Sequence, residues 1–378
     1  MNDSRGAIMI DLSPDNDPIK VAEPVNIAPT IWKISKLNDV KTTLLNPQVS
    51  ITDLLSKDIL RRIQDCDDSI EKTMLLYEAI GRGNRVQSDQ SRLAHISISK
   101  SLSNALNPAF INEFVFHALD ENKESIEVMS EIIWPIINQW RCIVLKTSQN
   151  KCLKLDEKIW DFFLASEKAN LRQLSKIEHI SREIYELAAL IKFPLIDGQR
   201  IKIEDWVNPA FLALRPLAYT SSLMFRHLSE NREILRELQS SKHLRICYIQ
   251  EVERMMNSFR YIFRQVTKGD IIIGKKRIPN GSNLLLDLVA ANRDPSRWDN
   301  PTNLNLGRKY IKPASFGYGM LCCTGNNITN RFLHVVLDAF LISCSQINPS
   351  GEGYPLNYVY NNSSSLRGMQ RLYLNFTI

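Results

Sequence analysis

No stretch of the sequence approaches the run of about 18 apolar residues that a membrane-spanning helix needs, so no membrane anchor is expected. The seven cysteines, Cys66, Cys142, Cys152, Cys247, Cys322, Cys323 and Cys344, contain no paired CxxC arrangement of the zinc type. Their odd number and wide spacing suit a reducing cytoplasm rather than a disulfide framework. Lys and Arg exceed Asp and Glu by six, yet no basic run is interleaved with aromatics, which argues against a nucleic-acid surface. The excess suits scattered solvated side chains or the docking of an acidic protein. Residues 1–24 carry Asp3, Asp11, Asp15 and Asp17 among prolines and lack the basic-then-apolar order of a signal peptide; they read as a loose lead-in. Repeats and low-complexity tracts are also missing. What remains is a chain of 378 residues, 44% apolar and 23% charged, an ordinary globular composition expected to form a single domain over 1–378.

Apolar residues recur every three or four positions from about 51 to 191, the period of helices that bury one face. Helices are expected over 91–106, 126–145, 159–173 and 177–191, then over one long stretch from 205 to 238 and a shorter one from 243 to 256. After Thr267 the texture changes: 270–273 and 275–278, followed by Pro279-Asn280-Gly281, read as short strands with their turns, and 284–288 is strand-like. The stretch 292–315 is rich in Pro, Asn, Asp and Gly and reads as an ordered meander before a helix over 326–342; the end, from 354, reads as strands. The expected class is mainly α with a small β portion.

The segment Phe316-Gly317-Tyr318-Gly319-Met320-Leu321-Cys322-Cys323-Thr324-Gly325 directly precedes that last helix. A helix N-terminus and backbone N–H groups stabilise negative charge on sulfur, and glycines let the backbone approach closely, so the segment has the physics of a thiolate metal ligand. Read without its context, a cysteine among glycines is equally a plain buried cysteine.

Its spacing is that of a known family. Phe316, Gly319, Cys323 and Gly325 resemble the F-x-x-G-x-x-x-C-x-G loop of the cytochrome P450 superfamily, and three further motifs follow the family's order. Glu251 and Arg254 look like its E-x-x-R pair, Arg308 resembles the meander arginine that completes that network, and Ala290-Ala291-Asn292-Arg293-Asp294-Pro295 is similar to the A-N-R-D-P stretch of bacterial members. The resemblance extends from about 91 to 378, including Leu366-Arg367-Gly368 in the C-terminal strand region. It implies the cytochrome P450 fold, heme b (iron protoporphyrin IX) as cofactor, and Cys323 as axial iron ligand. Arg264 resembles the arginine that pairs with a heme propionate, and His95 the histidine of the H-x-x-x-R propionate motif. The arginine of that motif falls on Ser99, and Leu321 stands where a basic residue is usual two places before the cysteine.

The central helix departs further. Pro216 lies 35 residues ahead of Glu251, which puts Arg215-Pro216 on the acid and alcohol positions that relay protons in ordinary members; Thr220 and Ser221 follow one turn later. An Arg-Pro pair there resembles the fatty-acid peroxygenases of the superfamily, in which the arginine holds a substrate carboxylate, whereas the 316–325 loop has the common monooxygenase form. The stretch between His95 and Pro216 is short for the family, and lid or pocket residues are expected within 75–92, 162–178, 212–219 and 261–262. Three functions follow from the resemblance. The first is a monooxygenase acting on a small organic molecule in a biosynthetic tailoring pathway, with Arg215 positioned to hold a carboxylate on it. Its electrons would come from a ferredoxin-type or flavodoxin-type partner, since the chain has no flavin or iron–sulfur motif. The second is a peroxide-using or partner-independent enzyme such as a peroxygenase, isomerase or dehydratase. The third is a heme-binding scaffold without turnover.

Overall fold

Apolar positions three and four apart become the buried stripes of most helices. The computed structural model describes residues 22–51, 73, 75–76, 89–120, 125–167, 174–319, 322–350, 358–360 and 366–378. Their helices are α1 Leu37–Leu45, α2 Asp89–Ala105, α3 Pro108–Asp120, α4 Trp134–Leu145, α5 Gln149–Glu167, α6 Leu174–Ala189, α7 Ile203–Val207, α8 Leu214–Glu230, α9 Arg232–Ser240, α10 Lys242–Met255, α11 Leu288–Ala291 and α12 Asn326–Ser343. In α12, Ile328, Phe332, Leu333, Val336, Leu337 and Phe340 form the buried stripe; Phe332 stacks on Trp140 of α4 at 5.6 Å and Phe340 meets Phe225 of α8 at 4.2 Å. Helix α8 is buried on nearly every side, which makes it the axis of the helical core.

The β portion is larger than its short runs suggest. A five-stranded sheet has the order β1-β2-β8-β5-β3, from β1 Val25–Ala28, β2 Ile31–Ile34, β3 Val49–Ile51, β5 Tyr261–Val266 and β8 Asn283–Asp287; β2 and β8 are parallel and the other pairs antiparallel. A second, smaller core lies against this sheet, with Ile34, Val40, Leu284, Leu286 and Trp298 among its members. Strands β6 Ile271–Ile273 and β7 Lys276–Ile278 form a hairpin. At the C-terminus, β11 Met369–Thr377 pairs with β4 Ile126–Glu127, β9 Gln346–Pro349 and β10 Tyr358–Tyr360.

Two expectations need correction. The helix expected over 126–145 starts with strand β4, because Ile126 and Glu127 pair with β11, some 245 residues away; a π turn over Met129–Ile133 then leads into α4. A short apolar run is compatible with either state, and here the distant edge decides it. The long helix expected from 205 to 238 is broken twice. Pro209 sits in a π turn, Asn208–Leu212, between α7 and α8, and Asn231 leaves helical geometry (φ −132°, ψ 74°) between α8 and α9. The expected lead-in lies outside the described residues up to 21, as do 77–88 and 168–173 of the expected lid regions. Among the described residues no helix is long and apolar enough to cross a membrane.

Candidate active site

Three residues apart on α10, Glu251 and Arg254 face the same way, and both are buried. Arg254 donates from Nε to Glu251 Oε1 at 2.7 Å and from Nη2 to Oε2 at 2.8 Å, a bidentate pair. Its Nη1 reaches the carbonyls of Asn292 and Pro301, and Arg308 joins from the meander, with Nε 3.3 Å from Glu251 Oε2. Burial pushes the Glu251 carboxyl up, but Arg254, the Asn305 N–H and Arg308 together more than reverse this and hold it below the usual carboxylate range. The remaining Arg308 donors bond the carbonyls of Asp299, Asn300 and Asn303, so two guanidiniums satisfy the polar backbone of a segment with little regular structure. The Asn292 and Asp294 side chains extend the same framework. Asn292 accepts from Ala314 N–H and donates to Ser315, while Asp294 Oδ2 accepts the first N–H of α1, from Leu37.

The meander delivers the chain to the cysteine loop. Gly317 (φ 69°, ψ −171°) and Gly319 (φ 73°) adopt backbone geometry that side chains disfavour, and a Cβ on Gly319 would lie 2.9 Å from Leu45 Cδ2. The loop closes where the Cys323 N–H bonds the Phe316 carbonyl at 2.8 Å, and the Gly325 N–H lies 3.3 Å from Cys323 Sγ. Gly325 has φ −84° and caps the 18-residue helix α12, so Sγ sits at the positive end of its dipole. Cys323 is an exposed residue, yet protein mass around its thiol pushes the pKa up, and the Gly325 N–H pulls the other way. Cys322 is half-buried; Leu321 lies outside the described residues.

Arg264 lies on β5, between Leu284 of β8 and Ile51 of β3. Its Nη1 donates to its neighbour's carbonyl, on Phe263, and its buried Nε has no partner among the described residues; burial pulls its pKa down to about 10. His95, on α2, is buried with Nε2 3.9 Å from Asp205 Oδ1 of α7, and burial lowers its pKa although Asp205 opposes this. The nearby anion in this structure is therefore Asp205; Ser99, one turn on, is buried too.

The π turn places Arg215 and Pro216 in the first turn of α8, where proline's missing N–H is tolerated. Pro216 accepts a hydrogen bond from Ser258 Oγ on its carbonyl, Thr220 is buried, and the hydroxyls of Ser221 and Ser222 bond the preceding turn. Arg215 Nη2 lies 2.7 Å from Asp156 Oδ2, and Arg141 Nη1 lies 2.5 Å from Asp156 Oδ1. Arg215 also stacks over Trp160 (4.3 Å) and Trp134 (5.4 Å), Arg141 over Phe211 (4.9 Å), and the Tyr219 oxygen accepts from Arg215. Burial lowers the Arg215 pKa, against Asp156 and Tyr219. Sequence reasoning missed Asp156 and Arg141. The signal was present: Asp156 occupies an apolar-stripe position among Cys152, Leu155 and Ile159, and Arg141 one beside Ile137, Trp140 and Val144.

Glu253, next to the buried pair, gives a pH test. Burial pushes its carboxyl up to about 7 from 4.5, although Asn330 of α12 donates to it. An acid protonated more readily when folded stabilises the fold at low pH, and that contribution fades as pH rises from 4.5 through 7. Urea unfolding should lose about 3 kcal/mol across this window, and Glu253→Gln should flatten the slope; an equal slope in both proteins would assign it to other groups.

No protein-family model matches the chain. Among curated proteins it is 32% identical over 128 residues to cytochrome P450 CYP199A2 of Rhodopseudomonas palustris, covering 34% of this chain and 30% of that protein. It is 27% identical over 171 residues to cyclomarin C epoxidase CymV of Salinispora arenicola, covering 43% and 42%. The matches thus span less than half the length of these relatives. Solved structures agree over nearly the whole chain: P450BioI in complex with an acyl carrier protein carrying hexadec-9Z-enoic acid (TM-score 0.72, 18% identity, 95% and 94% covered) and CREJ with (4-ethylphenyl) dihydrogen phosphate (0.72, 16%, 92% and 92%). The fold is that of a cytochrome P450. The local sequence matches are to cytochromes P450 as well.

Proposed function

We propose that residues 1–378 work as one heme-thiolate domain, a monooxygenase that oxidises a small organic molecule in a biosynthetic tailoring pathway. The observation that carries this reading is the loop around Cys323: a sulfur at the N-terminus of α12 with the Gly325 N–H on it, backed by the bonded Glu251, Arg254 and Arg308 network. The residues fit heme b. Cys323 is a soft axial donor, and Arg264 carries a buried donor atom that a propionate would satisfy. His95, engaged by Asp205, is the weaker propionate contact.

Bound there, the heme supplies activation of dioxygen or peroxide for oxygen insertion. The chain's part is to fix the sulfur, anchor the propionates and shape the wall formed by α8. The acid and alcohol positions hold Arg215 and Pro216, and among the described residues the acid bonded to Arg215 is Asp156. Two guanidiniums share this carboxylate, leaving the cluster one net positive charge, which favours a substrate bearing a carboxylate near Arg215. Electrons would come from a ferredoxin-type or flavodoxin-type protein.

The same Arg215-Pro216 geometry supports a second reading, peroxide-driven turnover without a reductase. Incubation with a panel of small carboxylic acids, once with a surrogate ferredoxin and reductase and once with hydrogen peroxide, should give oxygenated products by mass spectrometry in the first arm. Products in the peroxide arm only would select the second reading. No product in either arm from heme-loaded protein would leave the scaffold.

A further inference from the structure

The Arg141, Asp156 and Arg215 cluster ties three helices, α4, α5 and α8, through one carboxylate. Arg141 is fully buried and fixed by Asn138 Oδ1 at 3.1 Å; Asp156 and Arg215 are 7% and 9% exposed. Each oxygen of Asp156 serves one guanidinium, Oδ1 for Arg141 and Oδ2 for Arg215. Both guanidiniums stay charged at any working pH. The aromatic faces of Phe211, Trp134 and Trp160 attract them but bring no negative charge. Among the described residues the buried Nε atoms of Arg141 and Arg215 have no hydrogen-bond partner, and Arg141 Nη1 meets Asp156 Oδ1 as an ion pair only, so the set is short of negative charge. Among its charged members Arg215 has the most open side chain, at 11%, which makes it the one an outside anion can meet.

We propose that Asp156 and Arg141 are specificity-determining residues that set how strongly Arg215 holds a monoanionic carboxylate on the substrate. This rests on the reading above that Arg215 faces the substrate. Asp156 competes with the substrate anion for the Arg215 guanidinium, and Arg141 weakens that competition by drawing on the same carboxylate. The two therefore act in opposite directions. Asp156→Asn keeps the shape and removes the competing charge; Arg141→Gln removes the rival cation and leaves Asp156 to Arg215.

Octanoate and octanamide, matched in length and different in charge, separate charge from shape. Calorimetry on the purified protein as isolated should find octanoate the tighter ligand in wild type. Asp156→Asn should tighten octanoate about tenfold and Arg141→Gln should weaken it about tenfold, with octanamide within about twofold throughout. Asp156→Glu, which retains the charge, should keep the wild-type ratio. Equal affinity of the two probes for wild type overturns the proposal without any variant, as does parallel movement of both probes in the variants, the mark of a merely structural role. Octanoate binding undiminished in Arg215→Lys and Arg215→Ala would instead remove the underlying reading that Arg215 faces the ligand. Since calorimetry needs no turnover, failure of the heme assignment appears separately, as a missing thiolate-type spectrum.

Discussion

On the proposed heme-thiolate reading, Cys323→Ala is expected to abolish the thiolate-type absorption band of the reduced, carbon monoxide-treated protein and oxygen insertion with it, while Cys322→Ala should leave both in place. The difference between adjacent cysteines is geometric. Sγ of Cys323 receives the Gly325 N–H and stands three residues before α12, whereas the Cys322 N–H is spent on the Gly319 carbonyl in the turn before it. Burial raises the thiol pKa of Cys323, so a thiolate there would need a cation beside it, the role the proposed heme iron would fill. Alanine removes the donor with little change in loop shape, because the closing bond from the Cys323 N–H to Phe316 belongs to the backbone. Difference spectra and heme quantification of the two variants check this; a band that survives in Cys323→Ala and vanishes in Cys322→Ala would move the ligand by one residue.

Arg254→Ala is expected to cost as much as a buried ion pair can, about 3–5 kcal/mol, because it strands Glu251 with Arg308 as its remaining charged partner. It also frees the carbonyls of Asn292 and Pro301, while Asn303 keeps its bond from Arg308. Against a typical total of about 5–15 kcal/mol, this is enough to leave much of the protein unfolded or unable to retain heme. Arg254→Lys keeps the charge but not the fork, and should fall between. Urea midpoints and heme content give the ranking; wild-type stability in Arg254→Ala would show that the meander is held by other contacts.

Much of this was legible in the chain. Helical periodicity found the helices of the core, since a helix that buries one face must repeat its apolar residues at that period. The network residues were legible because their spacing is local: Glu251 and Arg254 share one turn, and Cys323 and Gly325 one loop. Strand β5 went unread because Tyr261–Val266 has burial on its ends and partial exposure between, and only pairing with β8 and β3 makes it a strand. The partner of His95 was equally hidden, as Asp205 lies 110 residues further along.

The sequence by itself determined the helical class, the glycine-bounded cysteine loop ahead of α12 and the arginine–glutamate network, because each depends on neighbours within a few turns and on residue types that admit few alternatives. Only the tertiary structure decided that Arg215 has an anion from within the chain. Asp156 stands 59 residues before it on another helix, and a charge in an apolar stripe acquires meaning when packing shows which opposite charge shares its desolvated space.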